Sequence, residues 1–341
     1  MKIITNYSFL PKVKFFMILQ ESIYNVKYED DKIIWRNKMK KIIKLLSLMM
    51  ITMMTLVGCQ TKEVVVNDRE GNEVTLPNEM ERIISTAPSN TEVLIELGLA
   101  DKLIAVDTYS ADVENLPQNL EMLDFSAPDA EAIIALEPDA IIASGHNKTG
   151  STEDPFALVK EAGISVFYIP SSESIEGIYE DIMFMAQITD TVSKGEELVE
   201  SMKEEIEQIA TLGETITDKK SVYFEIAPAP NLFSFGTGTF LNEMIEIIGA
   251  ENILASEKSW ISPSEEAILD KNPDVILTNV NYIDKPLDEI KARTGWENIN
   301  AVKENQVYSI STNPASRPSQ NIIVALKEMA QSIYPDVYGQ E

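Results

Sequence analysis

Apolar residues recur at helical spacing in residues 193–212, which read SKGEELVESMKEEIEQIATL. Steps of four, four and three residues separate the members of this stripe, as on one face of an α-helix. They are Leu198, Met202, Ile206 and Ile209. The other positions are mostly charged, so the pattern predicts a helix of about 20 residues, roughly 30 Å long, with one side on protein and one in water. Ser193 and Glu196 form a capping box at its start, and Gly213 is a stop.

The sequence before this helix is echoed after it. Residues 131–144 read EAIIALEPDAIIAS, and residues 266–279 read EAILDKNPDVILTN. Aligned without gaps, they pair Glu131 with Glu266, Pro138 with Pro273 and Asp139 with Asp274. Each segment predicts a short helix, a Pro-Asp turn and a buried strand. Any α/β protein repeats such units, but the shared spacing from Glu to Pro favours two related lobes joined by one helix.

Strands alternate with helices in both halves. A β-hairpin is predicted at VVVNDREGNEVTL (64–76), and short apolar strands alternate with helices after it. This order predicts an α/β fold of two Rossmann-like lobes with parallel sheets, whose ligand-facing loops lie at the C-terminal ends of the strands. We assign residues 59–190 to the N-terminal lobe, 191–216 to a rigid linking helix and 217–341 to the C-terminal lobe.

Residues 39–58 have the organisation of a bacterial export signal. Lysines at 40, 41 and 44 precede the apolar run 45–57, which is too short and badly flanked for a membrane span. Leu56-Val57-Gly58-Cys59 resembles a lipobox, in which the cysteine receives diacylglycerol and the peptide is cleaved before it. The alternative is a buried free cysteine, but the only cysteine stands at the end of the signal.

The residues before this signal do not fit the scheme, because export signals begin at the N-terminus. Met39 is a natural start. We therefore interpret residues 1–38 as the product of a misassigned start codon, with a real N-terminal extension as the alternative.

The charge of the chain excludes some partners. Its net charge is −27, and beyond Cys59 it has 18 basic and 51 acidic residues. Such a chain should repel nucleic acid. It should also be repelled by anionic lipid, so attachment to a membrane would need a covalent anchor. A single cysteine excludes an intrachain disulfide.

From about Val64 to Tyr338 the chain resembles the substrate-binding lipoproteins of ABC importers for iron-siderophores, haem and cobalamin. The resemblance rests on the hairpin, ERIISTAPSNTEVLIELGLADKLIAVD (81–107), the paired E…PD segments, the linking helix, GAENIL (249–254) and Arg317-Pro318. It implies the class III periplasmic-binding-protein fold, in which a single rigid helix joins two lobes and the ligand lies between them.

The resemblance also implies a function. We expect a non-enzymatic, monomeric lipoprotein at the extracytoplasmic face of the cell membrane, without a cofactor of its own. It would capture an iron complex (a siderophore or haem) and deliver it to a membrane permease whose partner ATPase hydrolyses ATP. The alternatives are a cobalamin or corrinoid importer component and a sensor or adhesive lipoprotein of the same fold.

The resemblance implies a permease-docking role for the two matched glutamates. In that family one glutamate on each lobe binds arginines of the permease, and by position these are Glu131 and Glu266. Two separated carboxylates would orient the protein on its partner. The alternative is that both only stabilise helix N-termini, and adjacent Glu265 could replace Glu266.

The candidate ligand-binding residues lie where the predicted strands and loops face the cleft. They are Tyr109, His146, Lys148, Phe235, Trp260, Tyr282 and Arg317. Aromatic side chains suit a flat or apolar chelate, and the basic ones suit carboxylate or catecholate groups. Each residue could instead be structural. His146, Tyr109 and Tyr282 are the conceivable iron ligands, although a lone loop histidine is more often a surface residue.

The motifs that the sequence lacks disfavour several classes of ligand and of enzyme. One histidine cannot build the clustered site that binds bare zinc or manganese, so a pre-chelated metal is favoured. Residues 88–90 at a helix start could bind a small anion instead. The chain has no nucleophile elbow, Walker loop, zincin motif or dinucleotide fingerprint, which disfavours an enzyme.

Overall fold

The computed structural model describes Lys44 and residues 64–148 and 153–339. The predicted extension 1–38, the signal 39–58, except for Lys44, and the lipid-attachment residue Cys59 lie outside these residues. In the part of the chain that is described, no helix has the length and apolar character needed to cross a bilayer.

The N-terminal lobe is built on a parallel sheet of five strands. A hairpin of β1 (Val64–Asn67) and β2 (Glu73–Leu76) comes first, as predicted. The sheet follows, with β3 (Ile83–Ser85), β4 (Leu103–Asp107), β5 (Glu121–Leu123), β6 (Ala140–Ser144) and β7 (Ser165–Ile169). Its order is β5-β4-β3-β6-β7, so the chain reverses its direction of winding between β3 and β6. Its helices are Pro88–Glu96, Ala130–Ala135, Ala157–Glu161 and Ile175–Ile188.

The C-terminal lobe has a smaller parallel sheet. Its strands are β8 (Ser221–Glu225), β10 (Glu251–Asn252), β12 (Val275–Thr278) and β13 (Val307–Ser309), in the order β10-β8-β12-β13. The short strands β9 (Ser234–Phe235) and β11 (Trp260–Ile261) pair separately as an antiparallel ribbon. The helices are Phe240–Ile247, Glu265–Lys271, Pro286–Ala292, Asn300–Lys303, Thr312–Ser316, Ile322–Ile333 and Pro335–Tyr338. Both lobes therefore have the doubly wound parallel arrangement that the alternating pattern predicts.

The matched aspartates of the two repeated segments make the same contact in each lobe. Asp139 Oδ2 accepts a hydrogen bond at 2.9 Å from the backbone N–H of Arg82, just before β3. Asp274 Oδ2 accepts one at 3.0 Å from the backbone N–H of Ser221, the first residue of β8. Each aspartate thus ties the start of its own strand to the start of the neighbouring parallel strand, which supports the interpretation of two related lobes.

The linking helix spans Val192–Gly213. Its predicted stripe is buried or half-buried, and Val199 adds to it. The predicted capping box is wrong, because the helix begins one residue earlier after Thr191 and has no side-chain N-cap hydrogen bond. Only Thr189–Thr191 separate it from the preceding helix, so Ser193 already lies in its first turn.

One hydrophobic core joins the two lobes to the linking helix. Val199, Met202 and Ile209 of the helix belong to the same buried cluster as Ile182 of the N-terminal lobe and Leu241 of the C-terminal lobe. Because burial of apolar surface is the main favourable term in folding, this shared core resists separation of the lobes along the helix.

Candidate functional site

A cavity of about 280 Å³ lies between the lobes at the C-terminal ends of the sheet strands. The N-terminal lobe contributes residues that follow β3, β4, β5, β6 and β7, and the C-terminal lobe contributes the segment 316–318. The lining residues are Ala87, Pro88, Ser89, Tyr109, Phe125, Ser144, His146, Pro170, Ser171, Ser316, Arg317 and Pro318. In doubly wound sheets ligands bind at the point where the winding reverses, here between β3 and β6.

Two aromatic rings form one wall of the cavity. Tyr109 and Phe125 pack edge to face with their centroids 5.6 Å apart. Asp107 Oδ1 accepts a hydrogen bond from the Tyr109 backbone N–H at 2.9 Å, which fixes the turn that carries Tyr109. Tyr109 nevertheless remains 63% exposed, so its ring is available to a flat apolar ligand.

Arg317 connects the lobes beside this wall. Its Nη1 is 2.9 Å from Glu92 Oε1, and its Nη2 is 2.6 Å from Asp112 Oδ1. Nη2 also donates to the backbone oxygen of Tyr109 at 3.1 Å. All three partners belong to the N-terminal lobe, so one guanidinium of the C-terminal lobe holds the helix Pro88–Glu96 and the loop after β4.

The buried carboxylate of Glu92 is shared among several groups of the C-terminal lobe. Ser319 Oγ donates to Glu92 Oε2 at 2.5 Å, and Gln320 Nε2 donates to the Glu92 backbone oxygen at 3.3 Å. Asn313 Nδ2 donates to Asp112 Oδ2 at 2.8 Å in the same region. Buried charges are tolerated when they are paired and hydrogen-bonded in this way, so the network fixes the relative position of the lobes.

The ionisation states of this network follow from its contacts. Burial acts to lower the pKa of Arg317, but hydrogen bonds and charge from Asp112 and Glu92 outweigh it and raise that pKa. Burial acts to raise the pKa of Asp112, but hydrogen bonds from Arg317 and Asn313 lower it. Both groups are therefore charged at neutral pH. For nearby Asp107 burial prevails and raises the pKa, against hydrogen bonds from Ser110 and the Tyr109 backbone.

Three predicted ligand-binding residues are thus brought together: Tyr109, His146 and Arg317. Lys148 is not among the lining residues. Its Nζ pairs with Glu70 at 2.5 Å and lies 3.4 Å from the centroid of the Tyr168 ring. Phe235 is fully buried against Phe224, which corrects the expectation that it faces a ligand.

The remaining candidates lie on the C-terminal lobe outside the cavity lining. Trp260 is half-buried and stacks on Phe233 at a centroid distance of 6.4 Å. Tyr282 follows β12 and is 66% exposed. Neither position shows whether the side chain contacts a ligand. Both residues therefore remain predicted ligand-binding residues.

Sequence reasoning missed several residues that shape the site. Phe125 follows a three-residue strand that was not predicted, and Ser316 ends the short helix Thr312–Ser316. Glu92 and Asp112 gave no local signal, because they acquire their role only through Arg317, more than 200 residues away.

The predicted docking glutamates occupy equivalent positions. Each is exposed and is the second residue of its helix, Ala130–Ala135 for Glu131 and Glu265–Lys271 for Glu266. The adjacent Glu265 differs, because its Oε2 accepts a hydrogen bond from Trp296 Nε1 at 3.1 Å. Of the neighbouring pair, Glu266 is therefore the carboxylate left facing solvent.

The cleft contains little that could coordinate a bare metal ion. Across the described residues, no group of three or more His, Cys, Asp and Glu side chains is arranged to hold one. His146 and Tyr109 are the two lining residues with donors for an iron atom inside a chelate.

The fold and the inter-lobe cavity define a two-lobed solute-binding protein. A family model described as periplasmic binding protein matches residues 83–314, and the chain belongs to that family. This confirms the resemblance to ABC-importer substrate-binding proteins and the two-lobed α/β fold.

Individual relatives and a solved structure agree with this assignment. The uncharacterized ABC transporter substrate-binding lipoprotein YvrC of Bacillus subtilis is 33% identical over 282 residues, 81% of this chain and 87% of that protein. A vitamin B12-binding protein of Vibrio parahaemolyticus is 27% identical, over 76% of this chain and 92% of that one. A possible iron-binding (periplasmic solute-binding) protein of Staphylococcus epidermidis superposes with a TM-score of 0.68 at 29% identity, covering 75% and 100% of the two chains.

Proposed function

We propose that this protein is the substrate-binding lipoprotein of an ABC importer and captures a metal chelate in the inter-lobe cleft. The observation that carries the proposal is the cavity at the strand ends, with the Tyr109–Phe125 wall on one lobe and Arg317 on the other. A volume of about 280 Å³ is small for a chelate, so the cargo would project from the cleft mouth. The role is binding, as a monomer, and ATP hydrolysis belongs to partner subunits.

Two cargo classes remain in this proposal. An iron complex, a siderophore or haem, agrees with the iron-binding structural relative and with the donors of Tyr109 and His146. A corrinoid agrees with the vitamin B12-binding relative. Fluorescence quenching against ferric siderophores, haemin and cobalamin tests the proposal directly.

The reporter in this experiment is Trp260. In a protein that begins at Gln60 the other tryptophan is Trp296, which is fully buried. Saturable quenching by one class supports the proposal and identifies its cargo, and Trp260→Phe is the control that should lose most of the signal. No binding by any class would contradict chelate capture and favour a sensor lipoprotein.

We also propose that Glu131 and Glu266 dock the two lobes onto the permease. Their equivalent, exposed positions at helix starts support the proposal, because two carboxylates at separate points of a rigid body fix orientation as well as encounter rate. The hydrogen bond from Trp296 to Glu265 favours Glu266 over its neighbour.

We place the protein at the extracytoplasmic face of the cell membrane through a lipid on Cys59. The lipobox supports this location, and so does the lipoprotein named among the relatives. Each buried CH₂ of an acyl chain adds about 0.8 kcal/mol, so two chains overcome the repulsion of an acidic protein. Incorporation of labelled palmitate, lost in Cys59→Ala, is the test.

A further inference from the structure

The positive charge of Arg317 is paired with carboxylates of the protein itself. Its two terminal nitrogens each contact a carboxylate, Glu92 at 2.9 Å and Asp112 at 2.6 Å. Arg317 thus has a carboxylate partner on each side, and both ion pairs are made by groups of the protein itself. The side chain of Arg317 is only 11% exposed, which leaves little of the guanidinium for a ligand.

The rest of the cavity offers no permanent cation in its place. Among the lining residues that the structure describes, Arg317 is the only Lys or Arg, and His146 is the only other side chain that can become positive. The other polar side chains are the phenol of Tyr109 and serine hydroxyls, from Ser89, Ser144, Ser171 and Ser316. Lys148 is held by Glu70 over the Tyr168 ring.

An anionic cargo would therefore meet a cost that a neutral cargo avoids. To pair with Arg317, the anion must displace a carboxylate, and displacing Glu92 would leave a buried negative charge without its partner. A neutral cargo needs only hydrogen bonds from hydroxyls and contact with the two aromatic rings.

From this arrangement we infer that the cleft selects its cargo by charge: it accepts uncharged or cationic metal chelates with amide or hydroxyl groups at their edge, and it discriminates against polyanionic ones. The inference rests on the proposed function. Corrinoids with neutral side-chain amides and ferric hydroxamates fall in the accepted class. Ferric catecholates and haem, with its two carboxylates, fall in the excluded class.

The test compares probes of different charge on the protein that begins at Gln60. Calorimetric titration with cyanocobalamin, ferrioxamine B, ferric enterobactin and haemin covers neutral, cationic and anionic chelates. A neutral or cationic probe should bind at least about tenfold more tightly than either anionic probe, since a charge-assisted hydrogen bond is worth that much or more. Tighter binding of an anionic probe would overturn the charge selection and leave chelate capture intact.

A matched pair of variants isolates the role of Arg317. Asp112→Asn removes one carboxylate from the guanidinium, and it should fold because the Asp112 side chain is 60% exposed. Glu114→Gln removes the same charge from an exposed position two residues away. Only Asp112→Asn should strengthen binding of the anionic probes relative to the neutral probe, by about tenfold.

The possible outcomes distinguish a failure of charge selection from a failure of chelate capture. Equal effects of Asp112→Asn and Glu114→Gln on anion binding would overturn the inference, because a distant charge would then matter as much as the Arg317 partner. Binding of none of the four probes would instead contradict the proposed function, and the inference with it.

Discussion

Gly213, the last residue of the linking helix, lies directly against Ile247 of the C-terminal lobe: a Cβ on Gly213 would come within 2.2 Å of the Ile247 carbonyl oxygen. The other end of the helix has a similar contact, because a Cβ on Gly195 would lie 2.5 Å from the Cβ of Ala186 in the helix Ile175–Ile188. The linking helix therefore packs tightly on the N-terminal lobe near its start and on the C-terminal lobe at its end. These two close contacts explain how it can be a rigid connection.

Alanine at Gly213 should destabilise the protein. Alanine is the better helix former, by about 1 kcal/mol, but its methyl group would strike backbone atoms that cannot rotate away. We expect a net loss of about 1–3 kcal/mol in the free energy of unfolding, as for other overpacked sites. Gly195→Ala should cost less, since it meets one methyl group. Urea unfolding of the purified protein measures both.

Ser201→Ala is the matched control for these variants. It lies on the exposed side of the same helix and should leave stability unchanged or slightly raised. Wild-type stability in Gly213→Ala would show that the joint is loose and would contradict the rigid-helix interpretation.

The architecture was predictable because the repeat and the helical stripe are both local patterns. The helix Ile175–Ile188 was missed, since nine of its 14 residues are buried and one of these is the charged Asp181. Asp181 is stabilised by Arg69 at 2.6 Å, and Arg69 lies in the hairpin 112 residues earlier. A buried charged residue interrupts the apolar pattern by which a helix is recognised. The partner that makes its burial possible is distant in the chain, so a single sequence does not reveal it.

The same limit applies to the site. Tyr109, His146 and Arg317 were found because they follow predicted strands or precede a predicted helix, which is a local rule. Lys148 satisfies the same rule, yet Glu70 from the hairpin holds it. Sequence thus indicated which loops face the cleft, and the ion pairs between distant segments determined which side chains are available there.

Asp274→Asn should reduce stability in a pH-dependent way. Burial acts to raise the pKa of Asp274, but hydrogen bonds from Ser221 and Asn300 outweigh it and lower that pKa. Its stabilisation is therefore fully present above the unfolded pKa of about 4 and is lost as the pH falls through the lower folded value. We expect a loss of about 1 kcal/mol at pH 7 that shrinks below about pH 4.

Urea midpoints measured from pH 7 to pH 3 check this prediction. Asp270→Asn, which removes an exposed carboxylate from the preceding helix, is the control for the loss of one negative charge. A constant difference between wild type and Asp274→Asn across this pH range would show that the charge of Asp274 does not stabilise the fold.

Reversing the charge of Glu131 and Glu266 should abolish uptake and spare cargo affinity. Both side chains are exposed and neither lines the cavity, so the double variant Glu131→Lys/Glu266→Lys changes only the surface offered to the permease. Each lysine at a helix start should cost about 0.3–1 kcal/mol of stability. Cellular uptake of labelled cargo and calorimetric affinity are measured on the same variants.

Glu200→Lys, on the exposed side of the linking helix, controls for the change in net charge. This charge reversal, at a site away from both docking glutamates, should leave uptake near the wild-type rate. If the Glu131/Glu266 variant lost affinity, but not uptake per bound cargo, the docking role would be refuted.

Cargo binding should rock the lobes by a few degrees and not close them like a hinge. The linking helix contacts both lobes. Two direct contacts also join the lobes: Arg317 pairs with Glu92 at 2.9 Å, and Glu243 Oε2 accepts a hydrogen bond from the Ile175 backbone N–H at 2.8 Å. Wide closure would have to break these contacts, whereas slight rocking keeps them. X-ray scattering of the protein with and without a bound chelate should therefore give equal radii of gyration within error. A chelate that does not bind serves as the control, and a clear contraction confined to the binding chelate would contradict this mechanism.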